Sequence, residues 1–232
     1  MAASWLEVLR QSPLLVALDE PAREVVLGSA TLRRLRRGQV LFRQGEPAQA
    51  LYVAVEGRLK LTQEDAAGHQ VVVRFVRPPQ PMAAVALAPG HTYPVTAQAI
   101  TDAWVALWPA AALRELCRRL PPLGVALMEQ VAGHVEDLQQ RVLELACERV
   151  EQRLARCLWR LARQVGLPVA EGLLLDIPLT RQDLAAMVGA TLYTVSRLLQ
   201  KWQARGLVRT GRQRVVVSDF QGLLALAEGK GG

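Results

Sequence analysis

One stretch near the C-terminus limits the possible folds more than any other. It is residues 179–217, LTRQDLAAMVGATLYTVSRLLQKWQARGLVRTGRQRVVV. Thr180 stands where a helix N-cap is expected, and Asp183 three residues on completes a capping box. Leu184, Ala185 and Val188 then repeat at helical spacing. Gly189 supplies a left-handed position to end that helix, and Thr191 can cap a second one. The second helix gathers Val195, Leu198, Leu199 and Trp202 on one face and Tyr193, Ser196, Arg197, Lys201 and Arg205 on the other. One helix braces while the next presents polar tips, which is how a helix-turn-helix reads the major groove of double-stranded DNA. Gly206 ends the second helix. Leu207–Thr210 and Arg214–Val217 are expected as two strands of a wing with Arg212 at its tip.

Arginine is common throughout, 25 residues against 3 lysines, so no single arginine carries this reading. The cap, the turn, the packed face and the wing carry it together. Charge agrees: residues 150–232 hold 12 basic and 6 acidic residues, whereas residues 1–149 hold 16 and 15. Most of the net charge of +7 therefore lies in the half with the helix-turn-helix, as a polyanionic partner requires.

The 232 residues, 51% of them hydrophobic, are ample for one large or two modest cores. No uncharged apolar run reaches the roughly 18 residues of a membrane span. Glu7 and Arg10 interrupt the N-terminal apolar stretch, so no secretion signal is expected and the location expected is the cytoplasm. Cys117, Cys147 and Cys157 are odd in number, lack CxxC spacing and sit in helical patterns. Buried thiols in a reducing compartment are expected.

Residues 4–29 carry a short amphipathic pattern, and two or three small helices broken at Pro13 and Pro21 fit it best. From about residue 31 the period changes. Leu32, Leu35, Val40 and Phe42 precede Gly45-Glu46-Pro47, after which Leu51, Val53 and Val55 alternate with Tyr52, Ala54 and Glu56. Strands are also expected at Arg58–Gln63, Gln70–Val76, Val95–Ile100 and Ala103–Leu107, with a break at 77–94. Short strands punctuated by glycine describe an antiparallel sandwich or jelly roll. A short helix at 110–120 precedes a longer one that opens at Pro121-Pro122. Along it Met128, Val131, Val135, Leu138, Val142 and Leu145 recur at spacings 3, 4, 3, 4, 3, an a/d seam suited to a partner helix. The same stripe could instead lie on the sandwich, but its narrowness and flanking charge favour the partner. A helix at Val150–Val165, a loop at Gly166–Gly172 and a strand at Leu173–Ile177 lead into the helix-turn-helix. The expected class is α+β, with a sensor-like roll at 1–120, a dimerisation helix at 121–149 and a winged helix-turn-helix at 150–232.

This order of parts resembles the Crp–Fnr family of bacterial transcription regulators over nearly the whole chain. The most specific pieces are RRGQVLFRQGEPAQALYVAVEGRLKLT (Arg36–Thr62), with Gly38, Gly45 and Gly57 at the turns, and Leu179–Val208. The resemblance implies a homodimer that binds a pseudo-palindromic operator and commonly contacts RNA polymerase, here expected to activate. It places base contacts at Leu192, Tyr193, Ser196 and Arg197. Arg197 matches the family's guanine-reading arginine, which can bond O6 and N7 together. Tyr193 stands where the family often has Glu, and its ring can meet a thymine methyl. Thr180, Arg181, Thr191, Lys201, Arg212 and Arg214 are expected on phosphate, which positions without specifying.

The departures from the family matter as much. Where the cyclic-AMP branch holds its nucleotide with a Gly-Glu pair and an Arg-Ser/Thr pair, this chain has Pro81-Met82-Ala83-Ala84 and Tyr93-Pro94. The acid is replaced by Ala83 and the phosphate-binding arginine by Tyr93. The polar pair on the long helix becomes Leu138 and Gln139. A cyclic phosphodiester needs a cation or preorganised N–H groups to offset its desolvation, so cyclic-AMP dependence is not expected. The oxygen-sensing branch uses four cysteines, mostly N-terminal, for an iron–sulfur cluster, and this chain has three, none before Cys117. His69 and His91, both expected in loops, are weak candidates for haem. No cofactor and no metal site are expected. Two readings of the effector region stay open, an unidentified apolar ligand or none at all, with residues 78–88 plugging the old pocket. The plugged form is favoured. A cupin-like metalloenzyme would need two or three histidines and a carboxylate converging on one sheet, and the chain is not read as an enzyme.

Overall fold

The computed structural model describes residues 2–68, 70–211 and 214–230, with side chains from Trp5 onward. The expectations for His69 and Arg212 fall outside these residues. The chain divides into two compact units, Met1–His69 with Val73–Asp137, and Leu138–Gly232 with Gln70–Val72.

The first unit opens with helices α1 (Ala2–Arg10), α2 (Pro13–Val16) and α3 (Glu20–Gly28). The chain breaks into three small helices at Pro13 and Pro21 as expected, each proline falling in the first turn of the next helix, where a residue has no helical partner for its N–H, and Asp19 caps α3 by accepting from the Ala22 N–H at 2.9 Å. Strands β1 (Thr31–Leu35), β2 (Val40–Phe42), β3 (Ala50–Glu56), β4 (Leu59–Glu64) and β5 (Gln70–Val76) follow. The expected break at 77–94 contains a two-residue strand, β6 (Pro81–Met82), and a 3-10 turn at Ala84–Leu87. Strands β7 (Thr96–Ala99) and β8 (Ala103–Pro109) complete two sheets, ordered β1-β8-β3-β6 and β2-β7-β4-β5. Helix α4 (Ala110–Arg119) then precedes α5 (Pro121–Cys147).

Strand β3 shows why these sheets close on themselves. Its alternation suggested one buried face, yet every residue from Ala50 to Val55 is buried. Leu51, Val53 and Val55 pack outward against Leu9, Trp108, Leu113 and Leu127 beneath the helices. Tyr52 and Ala54 face the other way, into a roll interior shared with Leu35, Phe42, Leu61 and Val105. Gly57 turns the chain into β4 at φ +75°, and a Cβ there would fall 2.1 Å from the Asp102 carbonyl oxygen. No other residue fits that corner.

Tyr93 sits in the same interior, 3% exposed. Its ring stacks on Phe42 at 4.0 Å between centroids, and Phe42 stacks in turn on Tyr52 at 5.5 Å. The Tyr93 hydroxyl accepts from the N–H groups of Gln49 and Ala50, each at 3.1 Å, and donates to the Ala50 carbonyl at 3.2 Å. Met82, 3% exposed, closes another side of this cluster.

The second unit takes the last ten residues of α5 and adds α6 (Val150–Val165), β9 (Gly166–Val169), β10 (Gly172–Leu175), α7 (Arg181–Val188), α8 (Leu192–Ala204), β11 (Val208–Gly211), β12 (Arg214–Val217) and α9 (Phe220–Ala227). The expected loop at Gly166–Gly172 is in fact half strand. Pro168 is accommodated because β9 is an edge of the sheet β11-β12-β10-β9, where a residue's N–H can face away from the ladder. Helix α9 was not foreseen. Asp219 caps it, and Leu223, Leu226 and Ala227 are buried. Phe220 stacks on Trp159 of α6 at 5.7 Å.

The cysteines correct a second expectation. Cys157 is buried, Cys117 is half-buried and Cys147 is exposed. A helical pattern places a cysteine on a helix without saying which face is packed. Burial pushes the Cys157 thiol up to about 11 and raises that of Cys117. Since only the thiolate reacts, a maleimide at pH 8 is expected to label Cys147 quickly, Cys117 slowly and Cys157 only on unfolding. Mass spectrometry of timed samples checks this order. Tyr93→Phe, which strips a partner from two backbone N–H groups, is expected to cost ~1–3 kcal/mol of stability. Urea unfolding measures it.

Candidate nucleic-acid interface

The site is built on the pair α7–α8. The Thr180 hydroxyl accepts from the Asp183 N–H at 3.0 Å, while the Asp183 carboxylate accepts from the Thr180 N–H at 2.8 Å. This is the expected capping box. Gly189 ends α7 in the left-handed region at φ +61°, and a Cβ added there would lie 3.1 Å from Cδ2 of Leu145 on α5. Thr191 caps α8 by accepting from the Thr194 N–H at 3.1 Å. Val195, Leu198, Leu199 and Trp202 are all buried, as their spacing predicted.

Two side chains of α6, a helix read in the sequence only as core, hold this pair in place. The Arg153 guanidinium donates to three carbonyls: Val188 at 2.8 Å, Gly189 at 3.2 Å and Glu148 at 2.8 Å. It thereby satisfies the end of α7 and the turn itself, where helix carbonyls lack intrahelical partners. Arg156 bonds Glu148 at 2.7 Å and the Ala227 carbonyl of α9 at 2.7 Å, and lies 3.7 Å from Glu144. Arg160 also pairs with Glu144, which is only 4% exposed, so this buried carboxylate is matched by two cations.

Glu151, also on α6, reaches α8. Its Oε1 accepts from Lys201 Nζ at 3.0 Å and from Trp202 Nε1 at 3.2 Å. Partial burial works against the charged carboxylate, but the bonds from Lys201 and Trp202 and the nearby Arg205 charge outweigh it, holding its pKa below the usual range. On the far side of α8, Gln203 Oε1 accepts from the N–H and hydroxyl of Thr210 at 3.1 and 2.8 Å, fastening the wing strand β11 to the helix. No periodicity marks Glu151, Arg153, Glu144 or Gln203. Their only signal is a charged or amide residue interrupting a strongly amphipathic helix.

Of the residues expected on DNA, Tyr193 is 76% exposed, Leu192 is 47% exposed, Arg197 is exposed and Ser196 is half-exposed. Their positions, i, i+1, i+4 and i+5, share one face of α8. Beside that face, Thr180, Arg181, Gln182, Leu192, Thr210 and Arg214 line a cleft of about 500 Å³ between the helix pair and the wing. Arg181 and Arg214 are exposed there. Three residues assigned to phosphate are otherwise engaged, among them Thr191, whose hydroxyl accepts from the Thr194 N–H and lies 2.9 Å from the Thr194 hydroxyl. The Thr180 hydroxyl hydrogen goes to Asp183 at 2.6 Å, and the Lys201 ammonium is paired with Glu151.

The expected seam is laid open on α5. Met128, Val131, Val135, Leu138, Val142 and Leu145 are 72%, 47%, 46%, 50%, 65% and 53% exposed. In the expected effector region, Met82 and Tyr93 lie in one cluster with Ala83 packed on it, while Pro94 is exposed. Leu138 and Gln139, the other half of that expectation, belong to the second unit and are exposed on α5. Among the described residues no group of three or more His, Cys, Asp or Glu is placed to hold a metal ion, and no helix is long and apolar enough to cross a membrane.

Comparison with known proteins agrees with this geometry. Residues 152–226 match the Crp-like helix-turn-helix domain, and residues 32–120 match the cyclic nucleotide-binding domain. The transcriptional activator protein anr of Pseudomonas aeruginosa is 29% identical over 198 residues, covering 85% of this chain and 81% of that protein. The structure of FixK2 from Bradyrhizobium japonicum superposes with a TM-score of 0.73 at 25% identity, covering 85% of this chain and 96% of that one. TTHA1359, a CRP/FNR-family transcriptional regulator from Thermus thermophilus, gives 0.72 at 25% identity, with 85% and 98% covered. The chain belongs to the Crp–Fnr family of DNA-binding transcription regulators, its α7–α8 pair being the family's helix-turn-helix and its β-roll the cyclic nucleotide-binding-like domain.

Proposed function

We propose that this regulator is a cytoplasmic homodimer that binds a two-fold pseudo-palindromic operator without cyclic AMP and activates transcription through contact with RNA polymerase. The observation that carries the reading is α5. Apart from Glu144, residues 128–145 are exposed or half-exposed around the whole helix, yet they hold an apolar seam nearly three heptads long. A two-stranded coiled coil removes such a seam from water, and two helix-turn-helix units related by its two-fold axis demand an operator of the same symmetry. The name of the Pseudomonas relative supports activation.

The roll interior supports independence from cyclic AMP. The family's phosphate-binding arginine is replaced by Tyr93, whose hydroxyl already bonds three backbone groups. A phosphodiester would need a cation to offset its desolvation, and the rings of Phe42, Tyr52 and Tyr93 offer none. On DNA, α8 presents Arg197 to guanine and Tyr193, Leu192 and Ser196 to neighbouring bases. Arg181 and Arg214 hold the backbone, while Thr180 and Thr191 act by starting α7 and α8. Gating by an unidentified small apolar ligand is the second reading, favoured by the half-buried Ala83–Val85 segment beside Met82.

Genomic-fragment selection with purified, ligand-free protein tests the proposal. Enrichment of a two-fold motif without additive is the expected result; a motif that emerges only with cell extract would establish the second reading. On the selected operator, Arg197→Ala is expected to cost ~1–3 kcal/mol and relax one base position, whereas Arg214→Ala weakens all sequences alike and lowers the salt slope by about 1. Val135→Glu combined with Val142→Glu is expected to yield monomers in analytical ultracentrifugation and to abolish operator binding.

A further inference from the structure

The recognition helix carries one cation that its surroundings do not leave available. Lys201 is on the exposed side of α8, and its ammonium is bonded to Glu151 at 3.0 Å. The same carboxylate oxygen takes the indole N–H of Trp202 at 3.2 Å, and Trp202 is fully buried. Consecutive helix residues point about 100° apart. One oxygen bonded to both therefore resists rotation of α8 about its own axis in either sense.

That rotation is what base reading is sensitive to. With side chains, a helix has a radius of about 5–6 Å, so a roll of about 10° shifts a contacting tip by about 1 Å. Reading geometries tolerate roughly half of that. The ion pair has a second consequence. A free lysine on this face would meet phosphate on any duplex, adding affinity that does not depend on sequence. A neutralised one adds little.

We propose that Glu151 is a positioning residue that sets specificity: it fixes the roll of α8 through Trp202 and withholds Lys201 from the phosphate backbone. This rests on the reading of α8 as the base-contacting helix, and it replaces the expectation that Lys201 holds phosphate.

The test measures binding of the full-length protein to the selected operator and to a random duplex across a salt series, by fluorescence anisotropy. Glu151→Gln keeps an acceptor for Trp202 but removes the charge that restrains Lys201. It is expected to bind random DNA several-fold more tightly, with a salt slope steeper by about 0.9, the value of one added phosphate contact. Glu151→Ala, which also frees the roll, is expected to lose about tenfold on the operator in addition. Lys201→Met alone leaves the wild-type slope unchanged, and in Glu151→Gln it cancels the added slope. Cooperative thermal melts establish that each variant is folded. A shallower slope for Lys201→Met alone would place Lys201 on phosphate and overturn the inference. So would Glu151→Gln losing affinity equally on both duplexes at unchanged slope, which is the mark of a purely structural role. A wild-type protein that does not distinguish operator from random DNA removes the reading of α8 itself, and Arg197→Ala, inert in that case alone, identifies that failure.

Discussion

The DNA-binding unit depends on one guanidinium. Arg153 on α6 donates to Val188 and Gly189, the last carbonyl of α7 and the turn that follows it, and also to Glu148 just past α5. A helix-turn-helix is defined by the angle at its turn, and a turn is where backbone carbonyls run out of helical partners. A charge-assisted bond to each fixes the angle from outside the motif. Two residues earlier Glu151 does the same for α8, and one and two turns on Arg156 and Arg160 pair with Glu148 and Glu144. Helix α6 is thus a frame: its apolar face forms the core, and its charged residues hold the reading helix, the turn and the end of α5.

The roll in the first unit closes tightly around an interior filled by its own side chains. Its tight corners persist, with Gly57 pressed against Asp102 and β3 buried on both faces. The interior itself is aromatic. Phe42, Tyr52 and Tyr93 form a stack of rings, and the Tyr93 hydroxyl bonds the backbone at Gln49 and Ala50. Such a stack contributes apolar burial and satisfied polar atoms to the roll, where a nucleotide site would hold unpaired charge until its ligand arrived. The proposed independence from cyclic AMP rests on that interior.

Helix α5 links the arguments about shape and symmetry. Leu123, Ala126 and Leu127 anchor its beginning in the first unit's core, and Glu144 is buried near its end. The span between is apolar on one stripe and open to water. A helix in that condition gains most of its stability from what packs on it. In the proposed dimer the partner helix supplies that packing, and the contact of Leu145 with the turn at Gly189 places the last seam residue against the helix-turn-helix.

Much of the molecule was legible in residue order, and the reasons are local. The capping box at Thr180 and Asp183, the left-handed Gly189, the packed face of α8 and the seam of α5 follow from hydrogen-bond geometry and helical period, which act over a few residues. The turns of the roll were legible for the same reason. Other features could not be read this way because they join distant positions. Strand β9 escaped because Pro168 is tolerated only at an edge, and which strand is an edge is decided by the sheet. Cys147 is exposed because packing, not pattern, selects a helix face. That Lys201 is tied to Glu151 and the Thr180 hydroxyl to Asp183 depends on where partners fall in space. The sequence by itself determined the order of roll, long helix and winged helix-turn-helix, and the exposed polar face of α8 that is proposed to meet DNA. Only the tertiary structure decided which charged groups on that face are held by neighbours and which remain open, because a charge takes its partner across the fold rather than along the chain.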